Sequence, residues 1–372
     1  MKLIYTFLIL CCWLSGSVHA QRLSINDCWK FAKGNIDMSM LSQQAVWTNI
    51  TLPHTWNGYD GQDGGDDYYR GTGWYMRALS FDKNDRGKCI YLRFGAANYL
   101  TEVYLNGVSI GTHSGGYTAF AFDITPFVRY DMSNQLLVKV SNADGLPIPP
   151  LSADFTFFGG LIRGVELIKK NKLHITAEDY GSNGVYVRQD KVSDKEAMLS
   201  FTAKVRNTEK KAQKAVISFL IKEQDGKVLK ETKEEKMILP ETTMPITSTF
   251  QIDNPHLWNG KKDPYLYTAE VKVKVGSEIV DNYTFPLGIR YYSIDPDRGF
   301  ILNVHHWLRI PIDFIEVIGV FFYLPVMSNQ TFIIDSRLIS FITAIRGKII
   351  RRPYGSTPQI RTLLDSFQVA FM

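Results

Sequence analysis

Between Tyr99 and Phe127 the chain reads as short strands broken by turns, and this pattern restricts the fold more than any other feature. Val103 and Leu105 alternate with Glu102 and Tyr104, the two-residue period of a strand with one buried face. Asn106-Gly107 follows, two residues that tolerate positive φ, and Val108 to Ile110 then reads as the returning arm of a hairpin. Gly115-Gly116 interrupts the chain again before Phe120, Phe122 and Ile124, a second alternating apolar set. No helical period runs through the stretch, so it predicts antiparallel β-structure.

The same punctuation extends over most of the 372 residues. In residues 21–171, Cys28 to Phe31 opens a short strand, and Pro53 stops another at Leu52. Trp74 to Phe81 and Cys89 to Phe94 alternate as strands. Asn57 to Gly73 reads as an open loop with no core of its own, because seven aspartates and glycines fall between Asp60 and Asp67. This unit is expected to be a jelly-roll β-sandwich. Residues 172–292 suggest a second, immunoglobulin-like sandwich, with strands over Ala197–Arg206, Ala215–Lys222 and Leu266–Val275 and a turn at Asp225-Gly226. The charged run Lys230–Lys236 fits a solvated edge strand. Residues 293–303 form a connecting segment. From Val304 to Met372 apolar clusters occur without turns, caps or sustained period, which marks an irregular apolar tail.

A net charge of +5 is small for this length, and the two lysine-rich strips, Lys169–Lys172 and Lys204–Lys214, lack interleaved aromatics. They read as solvated strand faces rather than a nucleic-acid groove. Lys2, the apolar run Leu3–Leu14 and the small residues up to Ala20 have the order of a secretory leader cleaved after Ala20, which predicts a secreted or periplasmic protein. The run is too short for a membrane span, so no membrane association is expected once residues 1–20 are removed. The mature chain keeps Cys28 and Cys89, which either pair as a disulfide or stand as two buried free thiols. No cysteine or histidine spacing suggests a metal.

Leu52-Pro-His-Thr-Trp56, Gly73-Trp-Tyr75, Val103-Tyr-Leu-Asn-Gly107, the run Gly115–Thr125 and the run Asp154–Val165 together resemble the sugar-binding domain of family 2 glycoside hydrolases, in particular secreted β-galactosidase-like members of the Bacteroidetes type. Asn254-Pro-His-Leu-Trp258 and Pro264-Tyr-Leu-Tyr267 resemble the immunoglobulin-like domain of the same family. The resemblance covers residues 24 to 303 in the family's order. It implies hydrolysis of O-glycosyl bonds by two glutamates on a third domain, a (β/α)8 barrel, with no cofactor. Gly299 to Asn303 resembles the strand leading into that barrel, and there the resemblance stops. A barrel needs about 250 residues; 69 follow Asn303, with Glu316 their only glutamate. The expectation is therefore a non-catalytic fragment with no catalytic residue, whose residues 304–372 come from a truncated or frameshifted reading. The rivals are a stand-alone carbohydrate-binding module and a scaffold that associates through its sandwich faces as an oligomer.

By resemblance, Asp154 matches an aspartate that projects toward the barrel's sugar pocket, and Arg70 lies on the other loop approaching it. A carboxylate suits that work because it accepts two directional hydrogen bonds from sugar hydroxyls. The implied ligand is a β-galactoside-type glycan, with β-glucuronides and β-mannosides as the family's other substrates. The plainer readings are a loop aspartate and a surface arginine. Arg163 is expected to pair with a carboxylate. Trp56, Trp74 and Tyr117 fit either core packing or stacking on a sugar ring. His54 fits a structural role. His305 and His306, adjacent on a strand, would face opposite ways.

Overall fold

The computed structural model describes residues 21–60, 68–148, 156–295, 299–303 and 305–306. The expected leader, most of the expected tail, residues 61–67 of the expected open loop and Asp154 lie outside the described residues.

Asn106 and Gly107 carry φ of 54° and 81°, the left-handed pair that a tight two-residue hairpin turn needs. They join strands that belong to a six-stranded antiparallel sheet. In chain order the first sandwich consists of β1 (Gln21–Ser24), β2 (Trp29–Lys33), β3 (Thr48–Ile50), β4 (Thr72–Ser80), β5 (Cys89–Phe94), β6 (Leu100–Leu105), β7 (Val108–Ser114), β8 (Phe120–Asp123), β9 (Ser133–Ser141) and β10 (Val165–Lys170). They form one sheet in the order β3-β2-β4-β9-β6-β7 and a facing sheet β1-β10-β5-β8, the jelly-roll arrangement. Alternate residues of both sheets fill the space between, among them Trp29, Tyr75, Val103, Leu105, Leu92, Phe94 and Val138. Each such ring or branched side chain contributes roughly 2 kcal/mol by leaving water. Outside the larger sheet, Leu41 of a single helical turn packs on Trp74 and Leu137, so Trp74 is a core residue. Its indole Nε1 donates to the Ile36 carbonyl at 3.0 Å.

The second sandwich contains β11 (Leu173–Ile175), β12 (Val185–Val192), β13 (Glu196–Asn207), β14 (Gln213–Lys222), β15 (Val228–Ile238), β16 (Thr243–Asp253), β17 (Tyr267–Val275) and β18 (Glu278–Leu287). β13 pairs with β16 along one edge and with β12 and β11 along the other, facing the sheet β15-β14-β17-β18. Phe201 sits centrally, with Phe219, Phe250 and Phe285 at ring distances of 6.4, 5.0 and 6.4 Å. β15 is the charged edge strand expected from Lys230–Lys236, and Gly226 turns at φ 86°. A hairpin of β19 (Tyr292–Asp295) and β20 (Gly299–Leu302) follows, with β21 (His305–His306) added to its edge. Asn303 ties it to the sandwich, donating from Nδ2 to the Trp258 carbonyl at 3.2 Å and to the Asn259 side chain at 2.6 Å.

All six residues of β5 are buried, arginine included. Ile90, Leu92 and Phe94 point into the jelly-roll core, whereas Cys89, Tyr91 and Arg93 point outward against the second sandwich. β10 continues that outward face, because Cys89 pairs with Lys170, Tyr91 with Ile168 and Arg93 with Glu166. Only Asn171 and Lys172 separate β10 from β11, so the chain crosses directly from one sandwich to the other. The Lys169–Lys172 strip is therefore not the solvated face expected of it. Lys170 is buried with its Nζ 2.8 Å from Asp281 Oδ2, and Lys169 pairs with Asp85 at 2.6 Å. Asp281 also accepts from the amides of Ile175 at 2.7 Å and Asn282 at 3.0 Å.

The thiols of Cys28 and Cys89 are free, which resolves the two alternatives against a disulfide. The reason is direction: Cys89 faces the second sandwich with its Sγ 3.2 Å from Thr208 Oγ1, whereas Cys28 is exposed at φ 60° before β2. Only Cys89 fits the expected burial.

His174 belongs to the same seam. Its Nδ1 lies 2.7 Å from the Asn171 carbonyl, which only accepts, so Nδ1 carries the proton. Nε2 is then the acceptor for the Tyr91 hydroxyl at 2.9 Å. Burial, aided by the Lys170 charge, lowers the His174 pKa to about 3. The folded state thus binds the neutral ring, and the stability this provides is complete above the unfolded pKa of about 6.5 and is lost as pH falls toward 3. The stability measured by urea unfolding should drop by about 2 kcal/mol more between pH 7.5 and pH 5 in the wild type than in His174→Gln. An equal drop in both would remove His174 from the account.

Candidate functional site

Four segments converge at one end of the jelly roll: residues 53–60, 68–72, 141–148 and 156–161. The last has almost no regular structure, and its backbone polar groups find partners elsewhere. Three asparagine side chains supply several of them, because one carboxamide both donates and accepts, and main-chain groups of His54, Trp56 and Asn98 with the Tyr68 and Tyr75 hydroxyls supply others. Asn57 donates from Nδ2 to the Phe157 carbonyl at 2.9 Å and accepts from the Gly159 amide at 2.9 Å. Asn142 donates to the same carbonyl at 2.7 Å and accepts from the Gly71 amide at 2.9 Å. Asn98 donates to the Phe158 carbonyl at 2.6 Å, and its own amide donates to the Gly160 carbonyl at 2.9 Å. All three asparagines are fully buried.

Gly159 and Gly160 let the segment pass this close. A Cβ on Gly159 would lie 2.2 Å from the Trp56 ring; one on Gly160, at φ 129°, would lie 2.5 Å from the His54 carbonyl oxygen. Trp56 is thereby fixed as core, stacked on Phe31 with ring centroids 5.8 Å apart. His54 is structural as expected. Its Nδ1 lies 2.8 Å from the Tyr75 hydroxyl, and that hydroxyl also accepts from the Leu161 amide at 3.3 Å. Burial lowers the His54 pKa and raises that of Tyr75, so both stay neutral near pH 7.

Arg70 meets this segment directly. Its guanidinium lies over the Phe157 ring at 4.3 Å, its Nε donates to the Asn142 carbonyl at 3.1 Å, and it pairs with Asp144. The structure thus brings Arg70 to within three residues, along the chain, of Asp154, which itself lies outside the described residues. Among the described residues Arg163 has no carboxylate partner; it is exposed and donates to the Tyr117 carbonyl at 3.2 Å. Tyr68, Tyr117 and Phe158 stay partly exposed around the segment, so Tyr117 is the one aromatic of the expected three that is not packed away. The stretch from Asn57 to Gly73 is less open than its composition suggests: Asn57 is fully buried, Tyr69 packs edge-on against Trp56, and β4 has already begun at Thr72. Sequence reading missed the three asparagines, whose only signal was their place beside recognisable motifs.

Residues 23–171 match the sugar binding domain of Glycosyl hydrolases family 2, and residues 181–290 match a second domain of Glycosyl hydrolases family 2. The chain belongs to glycosyl hydrolase family 2. It is similar to a β-glucuronidase of Bacteroides fragilis, 37% identical over 82% of this chain and 43% of the relative. It is also similar to a β-galactosidase of Bacteroides ovatus, 31% identical over 76% of this chain and 33% of the relative. The structure of Bacteroides uniformis β-glucuronidase 2, covalently bound to cyclophellitol-6-carboxylate aziridine, superposes with a TM-score of 0.71 at 36% identity, over 77% of this chain and 34% of that one. The chain thus spans between a third and just over two fifths of the length of these relatives. In family terms the asparagine-held segment is part of the sugar-binding domain.

Asn142→Ala should cost about 2 kcal/mol in urea unfolding, because it leaves buried partners on Gly71 and Phe157 short of a bond. A loss under about 0.5 kcal/mol would mean that the clamp does not hold the segment.

Proposed function

We propose that this chain forms the two leading β-sandwich domains of a family 2 enzyme that hydrolyses β-glycosides of galactose or glucuronic acid. The observation that carries the proposal is the held segment Phe157–Leu161, which begins three residues after Asp154, with Arg70 braced against it. Family membership and the relatives, which divide between β-glucuronidases and β-galactosidases, support the substrate class. Asp154 would accept hydrogen bonds from sugar hydroxyls, and the loop would contribute one wall of a pocket completed by a catalytic domain. The chemistry itself asks for two carboxylates about 5 Å apart when configuration is retained. On this reading that pair belongs to a catalytic domain and not to the two sandwiches. The leader up to Ala20 would direct the chain out of the cytoplasm, and a glycan is its partner.

On this reading the purified 372-residue chain turns over neither nitrophenyl β-galactoside nor nitrophenyl β-glucuronide. Residues 21–303 placed ahead of the catalytic domain of a relative should give an active chimaera, in which Asp154→Ala lowers kcat/KM about 100-fold. Hydrolysis by the chain alone, or an Asp154→Ala chimaera with unchanged kcat/KM, would overturn the proposal.

A further inference from the structure

A cleft of about 330 Å³ opens where the two sandwiches meet, lined by β7, β8 and the turn from Glu178 to Gly181. Its floor is aromatic. His113 stacks on Phe120 with ring centroids 4.0 Å apart, and Phe122 lies beside them. Its wall is a built turn. Tyr180 and Gly181 both adopt left-handed backbone, at φ 52° and 63°. Tyrosine rarely does so, and such strain persists only where the surroundings enforce it. Here they do so at Gly181. Its carbonyl accepts from the buried Arg93 Nε at 2.6 Å, and a Cβ on it would lie 2.6 Å from the Phe120 nitrogen. The turn is thereby pinned to the jelly roll, and the Tyr180 ring, 80% exposed, is held out at the cleft's edge.

Two carboxylates complete the lining, and their charges are already answered. Asp179 pairs with Lys204 at 2.8 Å and accepts from the Tyr186 hydroxyl; Glu178 lies 3.5 Å from Arg206. A cationic ligand would find little uncompensated charge, and an acidic one would meet two carboxylates. Their remaining lone pairs suit neutral hydroxyl donors, and an exposed ring at the edge of an aromatic floor suits the C–H face of a sugar.

We propose that this cleft is a second carbohydrate site, selective for neutral sugars, with Tyr180 as the stacking ring and Glu178 and Asp179 as hydroxyl acceptors. It uses no residue of the Asp154 loop and stands independently of the function proposed above.

The test is an amide-resolved NMR titration of the full chain with methyl β-D-galactopyranoside and with the corresponding galacturonide, which differs in carrying a carboxylate at C6. The galactoside should bind saturably, moving the amides of Ala121 and Gly181, and the galacturonide should bind at least about tenfold more weakly. Tyr180→Gly removes the ring and the strain together. It should weaken binding by about tenfold or more while leaving the melting temperature unchanged or higher, and Tyr180→Phe should bind within about threefold of wild type. The proposal fails if the galactoside gives no saturable shifts, if the shifts fall on Gly159 and Leu161 instead, if the galacturonide binds equally well, or if Tyr180→Gly binds as wild type does.

Discussion

Lys170 and Asp281 fix the arrangement at the point where the two sandwiches touch. One lies on the last residue of the jelly roll's β10 and the other on β18 of the second sandwich, and both are out of water. Burying two charges costs several kcal/mol each, and their attraction offsets this only when the remaining lone pairs are used. Here they are used, by the amides of Ile175 and Asn282. Burial pulls the Lys170 pKa below its ordinary value, and the Asp281 carboxylate opposes that pull. The pair adds little net energy, but it admits one arrangement: any rotation of one sandwich on the other would leave an unpaired charge in a dry seam.

The rest of the seam follows from that arrangement. With β5 flush against the second sandwich, Tyr91 reaches His174, and Arg93 bridges Glu166 of its own sheet and Gly181 across the boundary. The Gly181 contact sets the turn that carries Tyr180. The Phe157–Leu161 segment is organised by a different device, three carboxamides that join main-chain bonds to His54, Trp56 and Asn98 in place of a strand ladder. At both the Gly181 turn and the asparagine-held segment, irregular backbone is held by buried polar side chains, and each presents partly exposed aromatics.

Much of the β-architecture was legible in the sequence, because alternation and turn chemistry are local. Asn106-Gly107 and Asp225-Gly226 both turn where their side chains and φ tolerance require, and Cys89–Phe94 is a strand to the residue. What the sequence could not show is what lies against each face. Lys169–Lys172 reads as a solvated strip until Asp281, 111 residues after Lys170, is placed beside it. Arg93 reads as the polar position of a half-exposed strand until the second sandwich covers it. The asparagine clamp is invisible for the same reason: Asn57, Asn98 and Asn142 are unremarkable singly and meet only when the chain folds back around Phe157–Leu161. The resemblance identified the family and pointed to Arg70, whose contact with Phe157 only the fold reveals.

The most direct test of this account is the equilibrium unfolding of Asp281→Ala beside the double variant Lys170→Met/Asp281→Leu. The single change strands a buried ammonium and should cost about 3–5 kcal/mol, whereas the double change, which replaces the pair with apolar side chains, should lie within about 1 kcal/mol of wild type or above it. If Asp281→Ala unfolds within about 1 kcal/mol of wild type, the seam does not depend on the pair, and the rigid arrangement of the two sandwiches must have another cause.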